Sequence, residues 1–324
     1  MNQDQIKQLN EAVEAVKTRK IENVYFVACG GSKAIFDPAQ FIFDRETTLP
    51  SFVYNANEFI HRCPKGLGEN SLVVTCSHSG NTLETTRATQ LAGDKGALTI
   101  SFSYRVDSPL WKATQHPISY VWGPESNPGD NNNGMLYRLV FSILNVLQPN
   151  EKYERAIKAC DNLGKVYAAN KAKFAESAKA FGKKYKNNKL IYTMSSGPCY
   201  GVAYSFAICL LQEMQWIHSG TIHTGEFFHG PFEVTDANTP FVIQVSEGST
   251  RELDERCLKF LHTYAKRIEV LDAKELGLSV IDPAVVDYFN HSLFNNVYPI
   301  YNHALAETRQ HPLTTRRYMW KVAY

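Results

Sequence analysis

Apolar residues along this chain fall into short unbroken runs rich in β-branched and aromatic side chains. Each run is followed by a small polar turn and then by a stretch with helical spacing. NVYFVACGGS (23–32) is the first, and a helical pattern follows it through about Phe43. SLVVTCSHSGNT (71–82) repeats the plan, with a helix from near Asn81 through about Leu91. GALTISFSY (96–104) and ISYVWG (118–123) read as two further strands. Runs without polar alternation are what parallel strands need when helices cover both faces of the sheet.

A second series begins at Lys189. KLIYTMSSGP (189–198) echoes NVYFVACGGS, and FVIQVSEGST (241–250) echoes LVVTCSHSGNT, in the same order and at a similar separation. The pattern reads as a duplicated α/β unit whose period is far longer than that of a solenoid repeat. The expectation is two domains, 1–165 and 166–324, joined by a helical connector.

Composition narrows the classes of function. A formal net charge of +2 over 324 residues lacks the basic field that nucleic-acid binding requires. The seven cysteines are scattered without a Cys-x-x-Cys pair, which suits a reducing cytoplasm. The polar N-terminal stretch carries no apolar signal segment, and no window reads as a membrane span.

CSHSGNT carries the clearest chemistry in the first half. Ser77, His78, Ser79, Gly80 and Thr82 lie where a strand gives way to a helix. Unpaired N–H groups, hydroxyl donors and a glycine that lets the backbone approach closely suit a phosphate monoester. The plainer reading is a serine or asparagine helix cap. The parallel turn CGGS, with Ser32 at the next helix start, favours phosphate, because turns at the C-terminal strand ends of an open sheet converge on one crevice.

GEFFHGPF (225–232) allows three readings. His218, His223, Glu226 and His229 are conceivable metal ligands, but no His-Glu-x-x-His motif is present and the spacings fit no familiar zinc set. His229 before Gly-Pro can instead close a turn with Glu226 as its partner, or act in acid–base chemistry.

With both turns in hand, VACGGS and the Ser-x-Ser-Gly-x-Thr of TCSHSGNT make the sequence resemble the sugar isomerase (SIS) family. CLLQEMQWIHSGTIHTGEFFHGPFEVTDANTPF (209–241) and RQHPLTTRRYMWKVAY (309–324) are similar to the bacterial fructosamine 6-phosphate deglycase branch. The resemblance implies an α/β fold of two tandem SIS modules. Each would be a flavodoxin-like three-layer α/β/α sandwich with a parallel sheet, and a helical connector and a C-terminal tail complete the chain. It implies phosphate binding by Ser32, Ser77, His78, Ser79 and Thr82. Asn81 departs from the Glu of amidotransferase-type members and is given no role.

The same resemblance makes Glu213 the base at C1 of the sugar and His229 the group that opens the ring, with Glu226 an orienting or structural acid. An acid on the apolar helix AYSFAICLLQEMQWI is costly unless it is paired or used. Lys321 of the tail is a candidate for contact with the sugar, and Arg316 or Arg317 for the substrate's carboxylates. The implied reaction cleaves a 6-phosphorylated fructose–amino acid, an Amadori product as in fructose-asparagine catabolism, to glucose 6-phosphate and the free amino acid. Aspartate is the expected amino acid and lysine adducts are the rival; a phosphosugar isomerase and a sugar-phosphate sensor are the alternative functions. Neither a metal nor an organic cofactor is implied. A homodimer is, with sites at the subunit interface and His229 acting in its own subunit or in the neighbour's.

Overall fold

A computed structural model of the chain describes residues 1–123, 126–277 and 281–323. The chain divides into two compact units, Met1–Gly164 and Lys165–Tyr324.

The first unit opens with helix α1 (Gln3–Lys17), whose N-terminus is closed by a reciprocal Asn2/Gln5 capping box. There follow β1 (Asn23–Ala28), α2 (Gly30–Ala34), α3 (Phe36–Glu46), β2 (Ser51–Asn55), α4 (Ala56–Arg62), β3 (Ser71–Cys76), α5 (Leu83–Asp94), β4 (Leu98–Ser103), α6 (Pro109–Ala113), β5 (His116–Ser119), α7 (Asn132–Leu147) and α8 (Glu151–Ala159). The five strands are parallel, in the order β2-β1-β3-β4-β5. Tyr25, Val27 and Val73 pack with Phe59, Ala88 and Ala92 on one face of this sheet. The next residue along β1, Phe26, packs with Phe36 and Phe43 on the other, so helices cover both faces.

Two local expectations shift. The last strand ends at Ser119 instead of running through Gly123, because its partner β4 ends at Ser103, the residue that pairs with Ser119. Beyond that point the Val121 N–H donates to the Asp130 carbonyl. The helix expected from near Asn81 starts at Leu83, with Thr82 as its N-cap.

Helix α9 (Leu163–Tyr185) leads into the second unit, which holds β6 (Leu190–Ser195), α10 (Tyr200–Ser205), β7 (His218–His223), β8 (Pro240–Val245), α11 (Arg251–Tyr264), β9 (Arg267–Asp272) and α12 (Asn290–Arg309). Its four parallel strands run in the order β7-β6-β8-β9. The first four strands of the first unit follow the same plan, as the echoed sequences require. Helix α10 continues without a break into a π-helical segment, Phe206–Met214, which the residue pattern does not announce. Among the described residues no helix is long and apolar enough to cross a membrane.

Candidate active site

In the first unit the chain leaves β1 toward one side and β3 toward the other, so the crevice of the sheet opens between their C-terminal ends. Ala28 pairs with Cys76, which sets the turns beginning at Cys29 and Ser77 side by side. Ser77 is buried. Its Oγ lies 2.9 Å from Thr82 Oγ1 and accepts from the Gly80 N–H at 3.1 Å. The Asn81 N–H donates to Ser79 Oγ, so the turn is held by its own hydroxyls. Gly80 adopts φ +66, and a Cβ there would meet Ser108 Oγ at 2.0 Å, which leaves room for glycine only. The Ser32 hydroxyl faces the Cys76 thiol, and burial pushes that thiol up to about 12.

His78 reaches outward from the turn into a cluster of rings. Its Nδ1 lies 2.9 Å from Tyr120 Oη, its ring stacks on Tyr104 at 5.1 Å, and it meets Trp122 edge-on at 5.0 Å. Packing among these groups, and then the Arg105 charge, lower its pKa from the ordinary value, which favours a neutral ring near pH 7. Tyr104, Tyr120 and Trp122 escaped the sequence reading because they follow β4 and β5, far along the chain from the turn they frame.

Glu213 lies in the last turn of the π-helical segment, its side chain 21% exposed. The C-terminal tail supplies its partner: Arg316 Nη2 is 2.7 Å from Glu213 Oε1, and the Arg316 side chain is 9% exposed. Arg316 also donates to the Leu313 and Thr315 carbonyls, and Lys321 Nζ donates to the Arg316 carbonyl at 2.6 Å. Arg317 lies over the Trp216 ring at 4.4 Å. Arg316 and Lys321 are thus joined to one another, and Arg316 to Glu213.

GEFFHGPF forms a 3-10 turn (Thr224–Glu226), a tight bend, and a second 3-10 turn (Pro231–Val234) entered through Gly230 at φ +122. Phe227 is buried, and Phe228 and Phe232 pack with Phe260 of α11. These rings anchor the loop and leave Glu226 and His229 exposed. The two are joined only through the backbone, His229 N–H to Glu226 carbonyl at 3.0 Å. Among the described residues no group of three or more His, Cys, Asp or Glu is placed to hold a metal.

Glu213 and His229 do not meet. Thr193 of β6 bonds to the Ala203 carbonyl of α10, the helix that runs on into Glu213. Met194, the next residue, packs on the other face with Phe227, Phe228, Cys257 and Leu261. Successive strand residues point to opposite faces. Glu213 and His229 therefore belong to elements on opposite sides of the same sheet.

Two doubly wound parallel sheets with hydroxyl-rich turns at their strand ends define an α/β class of protein. The SIS domain model matches residues 17–147. Fructosamine deglycase FrlB of Bacillus subtilis is 47% identical over 98% of this chain and 97% of its own length. Fructoselysine 6-phosphate deglycase of Escherichia coli is 28% identical over 82% of this chain and 77% of its own. A Bacillus subtilis crystal structure described as a phosphosugar isomerase superimposes with a TM-score of 0.96 at 47% identity, covering 98% of this chain and 97% of that one. The chain belongs to the SIS family.

Proposed function

We propose that this protein is a deglycase of 6-phosphorylated fructose–amino acids. The observation that carries the reading is similarity along essentially the whole chain to a fructosamine deglycase. The hydroxyl-rich turn at Ser77–Thr82 suits a sugar phosphate, Glu213 is a half-buried carboxylate and His229 an exposed imidazole.

In this reading Ser32, Ser77, His78, Ser79 and Thr82 hold the phosphate. His229 protonates the ring oxygen and then assists at O2. Glu213 removes a C1 proton to give an enaminol, and return of a proton to C2 gives the imine of glucose 6-phosphate. Water then releases glucose 6-phosphate and the amino acid. The steps are redox-neutral. Phosphate binding contributes remote interaction energy that holds the reacting carbon in register. The enzyme works as a homodimer in which His229 comes from the second copy, a reading supported by its position across the sheet from Glu213. Seven free thiols suit action in the cytoplasm.

Aspartate is the amino acid we favour for the substrate. The test is incubation of the purified protein with 6-phosphofructose-aspartate and an enzymatic assay for glucose 6-phosphate, beside 6-phosphofructose-lysine and 6-phosphoglucose-lysine. Release from none of them overturns the deglycase reading, and release from the lysine compounds alone moves the specificity.

A further inference from the structure

The second unit repeats the crevice of the first, yet something already sits in it. Asp254 of α11 is 0% exposed, and its carboxylate takes four donors. Oδ1 accepts from Ser196 Oγ at 2.8 Å and Thr224 Oγ1 at 2.7 Å; Oδ2 accepts from the Ser246 N–H at 2.9 Å and Ser246 Oγ at 2.7 Å. Those donors come from the residues that directly follow β6, β7 and β8.

The two units correspond position by position. Cys29 and Ser196 each follow the first strand of their unit, and Ser77 and Ser246 each follow the third. Thr85 and Asp254 are each the ninth residue after that third strand. In the first unit the buried position holds neutral Thr85, whose hydroxyl faces the Cys29 thiol. In the second unit it holds an acid.

We propose that the crevice of the second unit is an oxyanion site that the chain fills with its own Asp254 carboxylate, leaving one external phosphate site per chain, on the first unit. Two hydroxyls from neighbouring turns, a third from the end of β7 and one backbone N–H are the donor set an oxyanion needs. A carboxylate matches them with all its acceptor positions and removes the need for a ligand. A second carboxyl lies beside the turn after β8: a Cβ on Gly248 would come 1.9 Å from Asp287 Oδ1. Two carboxylates at this crevice repel an incoming phosphate, whereas no acid takes the equivalent place at Thr85.

Asp254→Gly tests this by removing the internal ligand. The variant is expected to melt several degrees below wild type and to recover most of that loss in formate, saturably, while chloride at equal ionic strength does nothing. Wild type is expected to respond alike to the two salts. Asp254→Ser, which keeps a side chain, provides a second variant. Equal response to formate and chloride in both variants overturns the proposal. A crystal of the wild type soaked in phosphate gives a reading independent of how the variants fold. Asp254 still bonded to Ser196 and Ser246 is the expected result, and phosphate in its place overturns the idea. Neither measurement depends on which sugar the enzyme cleaves.

Discussion

Glu213 and His229 stand on opposite faces of the four-stranded sheet. Glu213 extends the helix that Thr193 touches, and His229 rides on the aromatic loop that Met194 touches. Under the proposed roles of base and acid, residues so divided act on one substrate only if a second copy brings its own loop. Glu213→Ala and His229→Ala are each expected to lower kcat by about two to four orders of magnitude. Mixed and refolded together, they should regain about a quarter of wild-type activity, since half the dimers are hybrids with one intact site of two. A mixture as inactive as its components argues for chemistry within one chain.

Arg316 grips Glu213, so its replacement should act through that proposed base. In Arg316→Gln, kcat is expected to fall about tenfold or more with little change in KM. The isotope effect for substrate deuterated at C1 should rise as proton transfer becomes limiting. Arg316→Lys should recover part of the rate. A rise in KM alone, with the isotope effect unchanged, would assign Arg316 to the substrate's carboxylate.

The turn proposed to hold the phosphate is expected to have a different kinetic signature. Ser77 Oγ organises both Gly80 and Thr82, and Ser77→Ala is expected to raise KM about tenfold while kcat changes far less. Gly80→Ala should be worse, because its left-handed backbone and the Ser108 hydroxyl both reject a Cβ. Steady-state kinetics and a melting curve for each variant check the two effects.

Asp37 gives the first unit a pH dependence. Burial raises its carboxyl from 3.8 to about 6 and outweighs the Lys33 cation 3.8 Å away. The fold thus favours the protonated acid. Its contribution is full below about pH 4 and is lost as pH rises to about 6. Asp37→Asn stays neutral throughout. Its stability relative to wild type should climb across that window and level off above it, as urea midpoints at pH 4 and pH 7 would report.

The alternation of apolar runs, small turns and helical stretches determined much of this protein. Covered parallel strands have to read as NVYFVA and SLVVTC do, and the echo of both in LIYTMS and PFVIQV is enough to predict a repeated unit. CSHSGNT is legible for the same reason, since a turn between strand and helix exposes backbone donors wherever it occurs. The strand expected through Gly123 shows the limit: how far it runs depends on where its neighbour β4 stops. The residues that only tertiary structure decides are those matched across the chain. Arg316 reaches Glu213 from the tail, Tyr120 meets His78 from beyond β5, and Asp254 fills a cradle made by three turns. Local pattern records which face a residue must bury, but not which distant partner satisfies its charge, because that pairing exists only once the strands are ordered side by side.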